Sequence, residues 1–194
     1  MLWLGAAKDT VEGTDGMGER AAADTGVRIR QAREDDYPAL VGAVQEWWGD
    51  SRTPAEAREL SLLLPRLFLQ HFAGTSWVAE PARGGVAGFL VGFHSADHAD
   101  EAYIHFVGVR PELRGTGLAR RLYEGFFAQA SAAGREVVRA ITSPANTGSI
   151  AFHRAMGFEV EGAASGNGAA VRADYDGPGQ DRVCFRKRSA AAAG

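Results

Sequence analysis

The segment VGVRPELRGTGLARRLYEGFF, Val107 to Phe127, constrains the fold more than any other part of the chain. An apolar run stops at Pro111 and passes through Arg114-Gly115-Thr116-Gly117. It resumes with Leu118, Leu122, Phe126 and Ala130 at helical spacing, and Gly134 supplies a stop. The pattern is a strand, a glycine turn and a helix in succession. A helix start leaves four backbone N–H groups without partners and carries partial positive charge. Glycine clears side chains from the approach, so an anion can reach those groups. Arg114, Arg120 and Arg121 add charge, and Thr116 adds a hydroxyl. Phosphate or pyrophosphate is the ligand such a turn favours. The spacing is not that of a nucleotide P-loop, which ends in Gly-Lys-Ser/Thr, nor of the Rossmann fingerprint. An ordinary strand-to-helix turn is the competing reading.

The rest of the chain supplies a frame for this unit. Val27, Ile29 and Gln31 alternate with arginines and predict a first strand. Tyr37, Leu40, Val41, Val44, Trp47 and Trp48 follow at helical spacing, with Glu34 and Asp35 at the start and Gly49 at the end. Leu60, Leu63, Leu64, Leu67, Phe68 and His71 form a second stripe. Pro65 interrupts it, predicting a kink or two short helices. TSWVAEP and GVAGFLVGF predict a hairpin, and AYIHFVGV a buried strand. EVVRAIT predicts a strand, NTGSIAFHRAM a helix, and FEVEG and DRVCFRKR the last strands. The fold class is α/β in the mixed α+β sense: about seven strands in one mixed sheet, flanked by about four helices.

A chain of 194 residues suits one domain. We place it at 27–188, with residues 1–26 as a flexible leader and 189–194 as a tail. Met17 is an alternative start. Formal net charge is -3, from 21 basic and 24 acidic residues, so no nucleic-acid partner is expected. No apolar run is long enough to span a membrane, and no signal-peptide order opens the chain. The single cysteine, Cys184, has no internal disulfide partner and reads as a small core residue. The expected setting is cytoplasmic, with a homodimer open as a possibility and no metal expected.

Two motifs, in order, resemble those of GNAT N-acetyltransferases. Arg114-x-x-Gly117-x-Ala119, preceded by Val109-x-Pro111, is similar to that family's acetyl-coenzyme A signature. Asn146 to Phe158, NTGSIAFHRAMGF, is similar to the later segment that opens with Asn, carries a small residue at Ser149 and ends in Gly-Phe. The resemblance implies a GNAT-type fold in which the fourth and fifth strands splay at the cofactor. It implies acetyl-CoA as the donor. The pyrophosphate would meet the turn of Arg114, Gly115, Thr116, Gly117, Leu118 and Ala119. The pantetheine arm would pair with the backbone of Val107, Gly108 and Val109 and meet Asn146 and Ser149. Asn is also a good helix cap, so Asn146 carries two readings.

The family usually has tyrosine where this chain has His153, a position linked to protonation of the departing thiolate. Imidazole can donate a proton, so His153 is a candidate acid and cofactor contact; a solvent-facing helical histidine is the alternative. An attacking amine must lose a proton, since its pKa is about 10. Regular pairing puts residues 101, 103, 105, 107 and 109 on one face. His105 is then the leading base and Glu101 the second, while a bulge would move His105 to the other face.

By family resemblance the acceptor enters near Trp47, Trp48, Arg66, His71, Phe93 and Tyr103. It is expected to be a small-molecule or peptide amine. The resulting expectation is acetyl transfer to a primary amine by direct attack in a ternary complex. An acyl-CoA sensor or partner-binding module of the same fold is the alternative, and hydroxyl acceptors or longer acyl donors define a third.

Overall fold

A computed structural model describes residues 26–48, 53–162 and 170–188. The expected leader, the Gly49 helix stop and the 189–194 tail lie outside the described residues, Gly26 excepted.

The chain runs β1 (Val27–Gln31), α1 (Tyr37–Trp47), α2 (Pro54–Ser61), α3 (Leu67–His71), β2 (Trp77–Pro81), β3 (Gly88–His94) and β4 (Glu101–Val109). It continues with α4 (Leu118–Ala132), β5 (Val137–Thr142), α5 (Thr147–Ala155), β6 (Glu159–Val160) and β7 (Val183–Arg188). Seven strands form one sheet in the order β1-β2-β3-β4-β5-β7-β6. Only the β4–β5 pair is parallel.

Local chemistry sets the helix limits. Thr53 caps α2 by accepting from the Glu56 N–H, and Glu56 returns the bond to the Thr53 N–H across 2.7 Å. Pro65 lacks an N–H and cannot extend that helix, so the second apolar stripe divides into α2 and α3. That division, one of the two outcomes expected at Pro65, gives five α-helices among the described residues.

Each face of the sheet carries its own core. Leu40, Val44 and Trp47 of α1, with Trp48 just past its end, pack with Leu60, Leu64, Phe89 and Phe106 on one face. Leu118, Leu122, Tyr123 and Phe126 of α4 pack with Ala102, Ile104, Val107 and Val109 on the other.

Strand β4 changes face partway along. Val91 pairs with Phe106 but Gly92 pairs with Ile104, so His105 is an extra residue in a bulge. Before the bulge Ala102 and Ile104 face α4; beyond it Val107 and Val109 do. Regular alternation from 101 to 109 is therefore corrected: Tyr103 and His105 do not share a face with Val107 and Val109.

Beside the bulge the sheet opens. Strand β4 pairs with β5 only through Glu101, Ala102 and Tyr103, opposite Val137, Val138 and Arg139. From Ile104 to Val109 it has no strand partner on that side among the described residues. Strand β5 continues against β7 alone. The two strands splay, and the gap lies between the glycine turn and His105.

Candidate active site

The glycine turn follows β4 directly. Pro111–Leu113 form one 3-10 turn, and Gly115 and Gly117 take φ of 77° and 86°. L-residues rarely adopt these angles, which is why glycine stands there. A Cβ at Gly117 would meet nothing within 4 Å, so its free side faces open space. The first bond of α4 runs from the Arg121 N–H to the Gly117 carbonyl at 3.1 Å. No acceptor among the described residues meets the N–H groups from Gly115 to Arg120. Gly115 and the stretch from Gly117 to Arg120 line a hollow of about 200 Å³, with Phe152 of α5 also on its wall. Thr116 Oγ1 donates to the Leu113 carbonyl at 2.8 Å, so that hydroxyl braces the turn. Arg114 Nε donates to the Val109 carbonyl at 3.3 Å, and burial lowers its pKa. Of the flanking arginines, Arg120 lies 4.0 Å from Glu124, and Arg121 donates to the Val27 carbonyl.

Asn146 caps α5, its Oδ1 accepting from the Ser149 N–H at 3.1 Å. Its Nδ2 is buried and meets no acceptor among the described residues. A buried amide donor without a partner is costly, and a ligand carbonyl would satisfy it. The residues present therefore fit an elongated acyl-CoA: a row of free N–H groups for the pyrophosphate, an open strand edge and an orphan amide for its arm. Gly108 serves packing as well, since a Cβ there would lie 2.7 Å from the Phe89 ring and 3.1 Å from Trp48.

His153 neither faces solvent nor presents a proton to the gap. It is fully buried and stacked on Phe185, with ring centroids 4.3 Å apart. Nδ1 lies 2.7 Å from the Ser149 carbonyl, which can only accept, so Nδ1 carries the proton. Nε2 lies 3.1 Å from the Tyr123 hydroxyl. In the neutral ring Nε2 accepts, so Tyr123 donates. Burial pushes the His153 pKa down to about 4, keeping the ring neutral at pH 7. The expected thiolate acid is thus revised to a buried link between α4 and α5.

His105 is placed differently. Its Nε2 lies 2.6 Å from the Leu63 carbonyl, just past α2. Phe68 of α3 stacks on the ring at 4.1 Å and 11°. The carbonyl fixes the proton on Nε2, leaving Nδ1 as the lone-pair nitrogen. Burial lowers the His105 pKa, against a raising contribution from the Leu63 bond. The ring lines a cavity of about 710 Å³ with Tyr103, Phe106, Ser143, Tyr175 and Gln180.

Glu101 does not orient His105. Three strand residues stand between them, four steps or about 13 Å of extended chain, and its carboxylate lies 2.8 Å from Arg139 Nε. Arg139 also binds Glu161 at 2.5 Å. These charges line a neighbouring cavity of about 420 Å³, which shares Tyr103, Ile141 and Tyr175 with the first. Burial raises the Tyr103 pKa, so its phenol stays protonated. Cys184 opens onto this second cavity, but burial raises its thiol pKa as well, and nothing activates it.

The expected acceptor aromatics separate. Trp47 and Trp48 are 5% and 1% exposed and belong to the core beneath α1, so neither rims a cleft. Arg66 binds Glu34 at 3.1 Å and lies over Tyr37. His71 is exposed, its ring edge-on to Phe72. Neither lines the His105 cavity. Tyr103 and Phe93 do reach cavity walls. Sequence reasoning missed Leu63, Phe68, Tyr175, Gln180 and Arg139. The one local signal was the ADYDGPGQ cluster, an aromatic and acidic stretch just before the last predicted strand.

The sequence profile of the Acetyltransferase (GNAT) family matches residues 30–158. An L-2,4-diaminobutyric acid acetyltransferase from Vibrio parahaemolyticus is 44% identical over 57 residues, covering 28% of this chain. The matched stretches span less than a third of the curated relatives' own lengths, 31% and 27%. An acetyltransferase of the same family from Desulfovibrio desulfuricans superposes with a TM-score of 0.66 at 22% identity, covering 84% of this chain and 99% of that one. A phosphinothricin acetyltransferase from Sinorhizobium meliloti, in complex with acetyl-CoA, superposes at 0.58 and 20% identity, covering 87% and 91%. At these identities the structural likeness concerns the fold.

Proposed function

This chain belongs to the Acetyltransferase (GNAT) family, and on that footing we propose that it moves an acetyl group from acetyl-CoA to a primary amine by direct attack in a ternary complex. The observation that carries this reading is the open edge of β4. It starts beside the His105 bulge and ends at the turn whose N–H groups are free. A donor laid along that edge would have its anionic part at the turn and its reactive end toward His105.

Bound acetyl-CoA supplies an acetyl group activated as a thioester. The chain supplies binding, orientation and proton transfer. Backbone N–H groups from Gly115 to Arg120 would receive the pyrophosphate, and the open-edge backbone groups of Val107, with the Val109 N–H, would receive the arm. Asn146 Nδ2 donates to an amide carbonyl. His105 takes a proton from the attacking ammonium at Nδ1, directly or through one water. The Leu63 carbonyl holds the other ring proton and stabilises the imidazolium that results. The neutral amine nitrogen would bond to the acetyl carbon as the carbon–sulfur bond breaks, and its remaining surplus proton would pass to water as the amide forms. With both nitrogens of His153 occupied, solvent protonates the departing thiolate, which needs modest help if its pKa is near a cysteine's, about 8.5.

The test is amine-dependent thiol release from acetyl-CoA, run beside calorimetric acetyl-CoA binding. Binding with amine-dependent release supports the reading. Tight binding with no release from any amine favours the sensor alternative.

A further inference from the structure

Two helix starts carry the groups offered to the donor. Gly117 precedes α4 and belongs to the turn whose N–H groups meet no acceptor among the described residues. Asn146 precedes α5 and carries the buried Nδ2. One extended ligand meets both only where the two starts keep a fixed separation. A buried polar pair joins the helices behind them. Tyr123 of α4 donates to His153 Nε2 of α5 at 3.1 Å, and both side chains are fully buried. His153 Nδ1 lies 2.7 Å from the Ser149 carbonyl, and Asn146 Oδ1 accepts from the Ser149 N–H at 3.1 Å. Contacts therefore run from α4 through His153 and Ser149 to the Asn146 amide. On the other side Tyr123 meets Phe152 edge-on at 5.1 Å, and Phe152 stands on the wall of the glycine-turn hollow.

The surroundings of this pair are aromatic: Phe127 and Phe152 lie against Tyr123, and Phe158 and Phe185 against His153. Two apolar side chains of the same shape would fill that nest at little or no cost in stability. What a directional bond adds there is one fixed arrangement of α4 against α5. We propose that Tyr123 and His153 are positioning residues for the donor: their hydrogen bond sets the separation of the two helix starts, so that one acetyl-CoA spans the anion-binding turn and the Asn146 amide together. The inference rests on the acetyl-CoA reading of the site. Tyr123 lies six residues past Gly117, and His153 seven past Asn146, about 9 Å and about 10 Å along the two axes. A tilt of about 10° at the tie would move either start by nearly 2 Å. Two subsites on one ligand add their affinities only where their spacing matches its span. The bond acts on that gain and on neither subsite alone.

The experiment measures Kd by calorimetry for acetyl-CoA, for ADP as the pyrophosphate end and for S-acetylpantetheine as the arm. The proteins are wild type, Tyr123→Phe, His153→Leu and the double variant. Tyr123→Phe keeps the ring and removes one oxygen, so it carries the test even where His153→Leu folds poorly. We expect acetyl-CoA affinity to fall at least about fivefold in each single variant, with ADP and S-acetylpantetheine unchanged within about twofold. The losses should not multiply in the double variant, because either change breaks the same bond. His153→Gln keeps an oxygen that can accept from Tyr123 and should retain most of the affinity. A merely structural role would lower the melting temperature and leave the ratio of acetyl-CoA to fragment affinity unchanged, which would overturn the inference with cofactor binding intact. Fragment affinities that fall in step with acetyl-CoA, or losses that multiply in the double variant, would overturn it as well. Wild-type protein that binds no acetyl-CoA would remove the cofactor reading and this inference together.

Discussion

The His105 ring donates from Nε2 to the Leu63 main-chain carbonyl, 2.6 Å away. A backbone group on the helical side thus sets the tautomer of a side chain in a strand bulge. The nitrogen left with its lone pair is the one available to a substrate.

Replacing His105 by alanine removes that lone pair without touching the turn. Turnover should fall about 10²–10⁴-fold, the usual range for a positioned base. Acetyl-CoA affinity should stay within about twofold. Raising the pH should partly rescue the variant, because more of the amine is then already neutral. On the proposed mechanism the neutral ring is the active form in the wild type, and burial lowers its pKa. The acid limb of kcat should therefore lie below the ordinary histidine value of about 6.5. Steady-state turnover of both proteins across pH decides this.

The turn is tested by charge. Gly117→Asp puts a carboxylate into the open space beside the free N–H groups, and Gly117→Asn puts an amide of the same shape there. Both residues tolerate the left-handed backbone better than others. Asp should weaken acetyl-CoA binding at least about tenfold, and Asn distinctly less. Calorimetry giving equal affinities for the two variants would remove the anion-binding role.

Asn146 carries a cap and an orphan amide that substitution separates. Asn146→Asp keeps an oxygen for the Ser149 N–H but loses the Nδ2 donor, while Asn146→Ala loses both. The Ala variant should be less stable by about 1 kcal/mol, with Asp near wild type. Both should bind acetyl-CoA several-fold more weakly. Denaturant melts read the first effect and calorimetry the second; full affinity in the Asp variant would leave Asn146 as a cap alone.

His153 makes a prediction about stability. Its folded pKa, about 4, lies below the unfolded value of about 6.5. As pH falls through that window the unfolded chain takes up a proton that the folded chain refuses. The contribution is fully present above about pH 6.5 and lost toward pH 4, an order of about 3 kcal/mol. His153→Gln has no such proton to take. Its melts should change less steeply than wild type between pH 7 and pH 4, and parallel curves would contradict the buried, neutral ring.

Much of this fold was legible because the strand, turn and helix at Val107–Phe127 announce themselves by period and by glycine. Pro65 likewise marked the break between α2 and α3. The fate of β4 was not legible. One extra residue at His105 reverses the faces of Val107 and Val109, and nothing local distinguishes a bulged valine-rich strand from a regular one. The two tryptophans were open to a core or a rim reading, because adjacent helical residues diverge by about 100°; both are buried. His153 read as a proton donor at the cofactor or, alternatively, as a solvent-facing residue beside Arg154. Its partners Tyr123 and Phe185 come from distant elements that sequence spacing does not bring together.

The central claim is acetyl transfer from acetyl-CoA to an amine at the gap beside His105. The direct measurement is mass analysis of an amine panel incubated with acetyl-CoA and either wild-type or His105→Ala protein. The account predicts an acetylated amine in the wild-type reaction, released with an equal amount of free thiol, and about 10²–10⁴-fold less product with the variant. Equal product from both proteins would contradict the place of His105 in the chemistry. No acetylated amine from the wild type, despite bound acetyl-CoA, would contradict the activity itself.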